Sequence, residues 1–229
     1  MIMTTIVPET TLHNVSLSHQ HKNIHVEKRK MTVVKNVRIR PSDYVRSAFK
    51  ANGANIDAVM KKAETLFIKP TQEMIDGYKP EILAAVRKND LQRVIFLHKS
   101  GVLTNNCCNK FGESLLHLAC RRGYTSIVRY LLQEVKISLN IRDDYYRTPL
   151  HDACWTAEPQ YELVDLLVRL APHQLLMADI RGFTPFDYVR EEHQGKWLRF
   201  LWERREILRP LVDREDEIIG ASVLVNLRG

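Results

Sequence analysis

The side chains best suited to chemistry in this chain are two histidines in matching positions of a repeated motif. His117 and His151 recur at the repeat spacing, and Asp152 directly follows the second histidine. A histidine beside a carboxylate can act as a general base, and two histidines can bind a metal ion. No nucleophile motif accompanies them, so the sequence predicts no catalytic residues and no enzyme activity.

Metal binding by cysteine or histidine is the next chemistry to consider. The cysteines are Cys107, Cys108, Cys120 and Cys154, and the N-terminal histidines are His13, His19, His21 and His25. The cysteines include no CxxC pair, and two of them occupy equivalent repeat positions that favour small buried side chains. The histidines could hold a divalent ion weakly, but a solvated polar tail is the simpler interpretation. The sequence therefore predicts no metal site and no cofactor. It also lacks a phosphate-binding glycine motif, and we expect no small-molecule substrate.

Basic side chains are concentrated near the N-terminus. The net charge is +7, and residues 1–40, with seven basic and two acidic side chains, carry +5 of it. Lys28, Arg29 and Lys30 could contact phosphates or act as a nuclear address, and a solubilising arm is the alternative. No aromatic side chains are interleaved with the basic ones, which weakens the case for specific nucleic-acid binding. Polarity and weak periodicity predict that 1–40 is a largely disordered, His-rich arm.

The composition indicates the class of protein. Hydrophobic residues make up 45% and charged residues 27% of the 229 residues, which is typical of a globular chain with a buried core. No apolar run approaches the roughly 18 residues of a membrane span. The first residues lack the features of a signal peptide, and the cysteine spacing is not that of a small secreted domain. We expect a cytoplasmic or nuclear protein that does not associate with membranes.

A motif of four residues occurs three times. It reads Ser114-Leu115-Leu116-His117, then Thr148-Pro149-Leu150-His151, then Thr184-Pro185-Phe186-Asp187. The spacings of 34 and 36 residues are typical of a stacked-repeat protein. Thr148 and Thr184 can cap a helix, and Pro149 and Pro185 suit the first helical turn, so these motifs should begin helices.

Hydrophobic periodicity predicts helices in pairs around these motifs. The predicted pairs are 81–87 with 91–98, 115–122 with 125–133, 149–155 with 160–170, and 185–192 with 196–206. Two further helices, 42–49 and 56–68, precede them. The sequence thus predicts an arm (1–40), an N-terminal helical segment (41–77), a repeat domain (78–210) and a C-terminal tail (211–229). We expect the tail to be loosely held or docked on the last repeat.

The motifs and the residues around them resemble ankyrin repeats. The ankyrin pattern is a turn with Asp and Gly, then Thr-Pro-Leu-His-x-Ala, then a Gly between two antiparallel helices. Here His117 is followed by Ala119 and Gly123. The resemblance covers 78–210 and implies an all-α solenoid of about four helix-turn-helix units, joined by short turn or β-hairpin links. It also implies that His117 and His151 hydrogen-bond the backbone of the neighbouring repeat. The stretch 142–159 is moreover similar to a group of algal ankyrin-repeat proteins.

Three positions depart from the ankyrin pattern. The unit that begins near Tyr78 lacks the motif, and we expect it to cap the N-terminal end of the array. Tyr146 stands where a turn glycine is expected, which indicates strain in that turn. Asp187 replaces the histidine of the last motif, so the hydrogen bonds of that histidine are in question there.

Ankyrin arrays bind partners through the tips of their turns and the exposed face of each first helix, and the resemblance implies the same surface here. The positions so implied are Arg87, Lys88, Lys110, Phe111, Arg121, Arg122, Tyr145, Arg147, Trp155, Arg181 and Phe183. Arginine and large aromatic side chains are common in binding hot spots. Basic residues come early in this surface, and Glu191 and Glu192 come late. We therefore expect a protein or peptide partner that is partly acidic and carries an apolar anchor.

Two functions fit these features. The first is a non-catalytic interaction module or adaptor that binds its partner on the concave ankyrin face. The alternative is a nucleic-acid-associated regulator whose basic arm docks on phosphate while the repeats recruit a protein. The alternative predicts an affinity for DNA or RNA that falls steeply with salt and is lost without residues 1–40.

Overall fold

The computed structural model describes residues 39–104 and 106–208, so nearly all of the expected arm and the whole expected tail lie outside the described residues. Over the described ranges the chain is helical, with isolated β-bridges and no strand. The α-helices are α1 (Pro41–Ala51), α2 (Ile56–Glu64), α3 (Gln72–Asp76), α4 (Pro80–Arg87), α5 (Leu91–Lys99), α6 (Leu115–Arg121), α7 (Thr125–Gln133), α8 (Pro149–Cys154), α9 (Tyr161–Leu170) and α10 (Gln194–Glu203). Short 3-10 turns cover Pro172–Leu176, Pro185–Asp187, Glu191–His193 and Arg205–Leu208. The all-α class predicted from the sequence is confirmed.

Helices α4 to α10 form four stacked units. The pairs α4/α5, α6/α7 and α8/α9 are helical hairpins, and the fourth unit combines the 3-10 turns at 185–187 and 191–193 with α10. First helices pack on first helices along the array, and second helices pack on second helices. Their buried apolar side chains form one continuous core, because each repeat buries its apolar faces against its neighbours.

The repeated motif begins each first helix by capping it. The hydroxyl of Ser114 accepts from the backbone nitrogen of His117 at 3.4 Å, and the backbone nitrogen of Ser114 donates to His117 Nδ1 at 3.1 Å. Thr148 and His151 form the same reciprocal pair, with 3.0 Å from the backbone nitrogen of Thr148 to Nδ1. These bonds satisfy N–H groups that have no partner at a helix start.

An aspartate caps the first turn of the last unit. The backbone nitrogen and the hydroxyl of Thr184 both donate to Asp187 Oδ2, at 2.9 and 2.8 Å. The turn is therefore capped although the histidine of the motif is missing. A continuous helix over 185–192 is nevertheless not formed, and this sequence-based prediction was wrong. Two 3-10 turns replace it, because the backbone of Arg190 is extended and divides the stretch.

Each turn tip is held by one polar side chain in the same position of the repeat. In equivalent positions, Asn109, Asp143 and Asp179 each accept two hydrogen bonds at 2.8 to 3.1 Å from backbone nitrogens two and four residues later. Backbone hydrogen bonds join neighbouring tips, from Asp144 N to the Phe111 carbonyl at 2.8 Å and from Ile180 N to the Tyr145 carbonyl at 3.1 Å. The tips therefore form one continuous edge.

Tyr146 occupies the tip position that is glycine in the units on either side, and it has a positive φ of 62°. Its ring lies against the guanidinium of Arg142, with 4.2 Å from Cζ to the ring centroid. The same guanidinium contacts the ring of Phe67 at 4.9 Å and pairs with Glu64 at 2.8 Å. These contacts tie the third unit to the N-terminal segment and offset part of the backbone strain at Tyr146.

The N-terminal segment runs along the array in the direction opposite to the order of the units. Helix α1 packs against α10 and the turns of the last unit, and α2 packs against the turn 172–176. Ile68 then pairs with Ile141 beside the third unit, and the Met74 carbonyl of α3 accepts from Cys108 N at 3.1 Å beside the second. The segment therefore begins on the last unit and ends where the first unit starts.

Helix α1 takes the place that a further repeat would occupy. Its residues Val45 and Phe49 are fully buried, and Asn52 Nδ2 donates to the Leu208 carbonyl at 2.9 Å. Arg40 and Arg46 approach the Asp187 carboxylate at 3.8 and 4.0 Å. In the two preceding motifs the histidine contacts the next repeat, whereas Asp187 faces two arginines of α1. The change from histidine to aspartate thus coincides with the change from a repeat to a cap.

Gly112 and Gly182 occupy equivalent tip positions in different surroundings. Both have positive φ, 77° and 83°. A Cβ on Gly112 would lie 2.7 Å from the carbonyl oxygen of Arg142, whereas a Cβ on Gly182 would meet no heavy atom within 4 Å. We expect Gly112→Ala to lower the free energy of unfolding by about 3 kcal/mol and Gly182→Ala by about 1 kcal/mol, because only the first adds a clash to backbone strain. Chemical denaturation of both variants measures the difference, and equal losses would contradict it.

Candidate partner-binding groove

The candidate surface lies between the turn tips (109–113, 143–147 and 179–183) and the C-terminal ends of α4, α6 and α8, and we call it the groove. Every tip presents an aromatic ring that is about half exposed and lies beside a cation of the same tip, namely Phe111, Tyr145 and Phe183. A cation lies over each ring at 5.0 to 5.1 Å from the centroid, provided by Lys110, Arg147 and Arg181. The tips therefore carry a row of three ring and cation pairs, one for each of the last three units.

The motif histidines lie beneath this row and are buried. His117 Nε2 lies 2.9 Å from the Arg147 carbonyl, and His151 Nε2 lies 3.1 Å from the Phe183 carbonyl, so each contacts the next tip. Burial lowers the pKa of His151 to about 4, despite the opposing effect of the Phe183 carbonyl. Because Nδ1 is engaged in the cap and Nε2 in the next unit, neither ring has a nitrogen available for catalysis or metal binding.

Asp152 contacts an arginine of the preceding unit. Arg121 donates to Asp152 at 2.9 and 3.2 Å and also lies 2.7 Å from Glu113, while Asp152 itself is buried. Burial alone would lower the pKa of Arg121, but the hydrogen bond to Asp152 and the charges of Asp152 and Glu113 raise it. Replacing Arg121 would leave a buried carboxylate without its partner, so Arg121 has a structural role whatever it binds.

The tip arginines are paired in the same way. Arg147 contacts Asp143 at 2.6 Å, and Arg181 contacts Asp179 at 3.1 Å. Both aspartates are buried residues that organise their own tips. The charges of these arginines are therefore largely balanced within the protein, although their guanidinium groups still line the groove.

Four cations of the groove have no such balance. Arg87, Lys88, Lys110 and Arg122 are exposed and make no ion pair with any residue that the structure describes. Lys88 and Arg122 directly follow α4 and α6, so they occupy equivalent positions in the first two units. The unbalanced positive charge of the groove is therefore concentrated in its first half.

Trp155 occupies the corresponding position after α8 and is 48% exposed. Its ring lies edge-on to Tyr188, with 6.0 Å between the centroids. The Tyr188 hydroxyl donates to Asp179 at 2.6 Å and accepts from Arg181 at 2.8 Å. Tyr188 was missed in the sequence analysis, and its place directly after the third motif was the one available signal. It supports the Trp155 ring from the last unit.

The remaining candidates for chemistry among the described residues are the cysteines and the metal-ligating side chains. The four cysteines are free and buried, and burial raises the pKa of Cys107 to about 12. No group of three histidine, cysteine or acidic side chains in the described ranges could hold a metal ion. No helix in that part of the chain is long and apolar enough to cross a membrane.

Comparison with known proteins gives one family. Residues 82–185 match the family model described as ankyrin repeats (3 copies). The chain is similar to alpha-latrotoxin-Lg1a of Latrodectus geometricus, with 31% identity over 45% of this chain and 9% of the toxin. It is also similar to the putative ankyrin repeat protein YahD of Escherichia coli (strain K12), with 34% identity over 38% of this chain and 44% of that protein. The chain thus spans less than half the length of either relative. The similarity to algal proteins is not tested and stays a prediction.

Proposed function

We propose that the chain is a non-catalytic adaptor, because residues 82–185 match the family model described as ankyrin repeats, a fold that generally serves as a protein-protein interaction module and not as an enzyme. Its partner is a protein or peptide that binds in the groove. The observation that carries the proposal is the row of half-exposed rings with their cations at the tips, together with the exposed ring of Trp155. A few residues supply most of the binding energy of known interfaces, and tryptophan, tyrosine and arginine are enriched among them.

The free, buried cysteines are compatible with a reducing compartment, and we propose a cytoplasmic or nuclear location on that ground. The basic arm proposed for nucleic-acid binding lies almost entirely outside the described residues. No observation on the described residues favours the nucleic-acid role, so the adaptor is the single function proposed here.

The proposal is tested by capture of partners with variants that differ only in the exposed rings they retain. The groove variant carries Trp155→Ala and Tyr145→Ala, and the control carries Phe96→Ala and Trp202→Ala, which remove two rings of similar exposure on α5 and α10. Quantitative mass spectrometry compares what each captures from cells that contain the protein. We expect the groove variant to lose a partner by about tenfold, whereas the control retains it.

The melting temperature distinguishes a loss of binding from a loss of folding in this test. All four rings are about half exposed, so we expect small changes in melting temperature for both variants. Equal recovery of every captured protein by the two variants would contradict a partner site in the groove. A large fall in the melting temperature of the groove variant alone would show that these rings are structural.

A further inference from the structure

We infer that the partner presents acidic residues to the first two units of the groove and an apolar residue to Trp155, within one extended segment. This inference rests on the proposed function, and it specifies the chemistry and direction of the ligand. It depends on which charges of the groove are already balanced by the protein itself.

The second half of the groove offers a ligand little unbalanced positive charge. In that half Arg147 and Arg181 each contact a buried aspartate at 3.1 Å or less, as Arg121 of the second unit also does. An acidic ligand would therefore compete with an existing internal ion pair at each of these side chains. The last unit also exposes the carboxylates of Glu191 and Glu192, and Glu192 lies 3.9 Å from Arg190.

The first half of the groove differs because Arg87, Lys88 and Arg122 make no ion pair with a described residue. Arg87 and Arg122 lie at the ends of stacked helices, and the Tyr124 hydroxyl lies 3.4 Å from the Arg87 carbonyl. Burial raises the pKa of Tyr78, Glu113 raises it further, and the charges of Arg87 and Arg121 oppose both effects. Tyr78 is therefore within electrostatic reach of Arg87 and Arg121, one arginine from each of the first two units.

Two carboxylates of the first two units make contacts of their own. Glu113 contacts Arg121 at 2.7 Å and accepts from Asn109 at 3.0 Å. Asp90 caps α5 by accepting from Arg93 N at 2.9 Å. Glu81 lies at the opposite end of α4 from Arg87 and Lys88. The exposed cations therefore have no carboxylate partner among the described residues, and a carboxylate of a ligand can pair with them.

The repeat geometry sets the spacing within the ligand. Lys88, Arg122 and Trp155 follow α4, α6 and α8 in equivalent positions, and packed helices lie about 10 Å apart. An extended peptide advances about 3.3 Å per residue. A ligand that crosses the units should therefore place an acidic residue about three positions from its apolar anchor and a second one about six positions away.

Selection from a random linear peptide library displayed on phage tests this inference on the full chain. Three protein samples are compared: the wild type, a groove variant with Arg87→Gln, Lys88→Gln and Arg122→Gln, and a control with Lys61→Gln, Lys69→Gln and Lys99→Gln. Both variants lose three exposed charges that make no ion pair with any described side chain, and the control positions lie on the N-terminal segment and α5. A synthetic peptide of the enriched sequence is then titrated against each sample.

We expect the wild type and the control to enrich peptides with acidic residues at the stated spacing from an aromatic or aliphatic residue. The groove variant should bind the enriched peptide about tenfold more weakly, and the control should change little. Enriched peptides without excess acidic residues, or equal binding by both variants, would overturn the inference while leaving an adaptor function intact. Failure of the wild type to enrich any peptide would count against peptide binding in the groove, and the inference would fall with it.

Discussion

Replacing Phe49 by alanine is expected to lower the free energy of unfolding by about 4 kcal/mol, because the ring is fully buried between α1 and the last unit. The lost contacts lie at one end of the array. Hydrogen exchange should therefore accelerate most in 185–208, while α6 stays protected, because repeats depend mainly on their neighbours. Denaturant titration gives the size of the effect, and exchange measured by mass spectrometry gives its position.

Ser47 provides the control for this experiment, because it lies on the same helix and is exposed. Ser47→Ala should change the free energy of unfolding by less than about 0.5 kcal/mol. A change below about 1 kcal/mol for Phe49→Ala would mean that α1 does not cap the array in solution. Faster exchange spread evenly over all four units would mean that the cap is not confined to the last one.

Acidification from about pH 7.5 to about pH 5 should remove roughly 4 kcal/mol of stability, through His151 and His173 together. Burial lowers the pKa of both imidazoles from 6.5 to about 4. Between these two pKa values the unfolded chain binds protons that the folded chain does not, so stability falls as the pH is lowered. The lowered pKa values of Asp165 and Asp179 act only below this window. Denaturant titrations at the two pH values measure the loss.

His173→Gln tests the assignment of this pH dependence. His173 Nε2 lies 3.1 Å from Asn140 Oδ1, and glutamine can replace that contact without titrating. The variant should be less stable than the wild type near neutrality and should lose about half as much stability on acidification. A free energy of unfolding that stays constant between the two pH values in the wild type would show that neither buried imidazole has a lowered pKa.

The sequence was sufficient to predict the repeated units, because their signals are local. Serine or threonine, proline and glycine at a fixed period determine where each first helix starts and where each hairpin turns. The helix predicted at 115–122 and the observed α6 differ by one residue, and Gly123 has the positive φ expected of a turn glycine. Ankyrin repeats and the all-α class were thus within reach of pattern alone.

What pattern could not predict are contacts between distant parts of the chain. Periodicity predicted a helix at 42–49, but it does not identify the surface that buries Val45 and Phe49. The ion pair between Arg121 and Asp152 likewise joins two units, and the sequence alone left Arg121 among the residues free to bind a partner. The groove cations could be sorted into balanced and unbalanced ones only when these pairs were known.

The position of α1 has a consequence for the order in which the protein can fold. The hydrogen bond between Asn52 and Leu208 closes a loop of 156 residues, whereas the contacts within and between neighbouring repeats are far more local. During synthesis α1 leaves the ribosome before the repeats, but the surface that buries Phe49 is completed only with the last unit. Loop-closure entropy favours the same order in refolding, with the solenoid forming from nearby contacts before the distant one. The helix that is made before the repeats is therefore the one that docks after them.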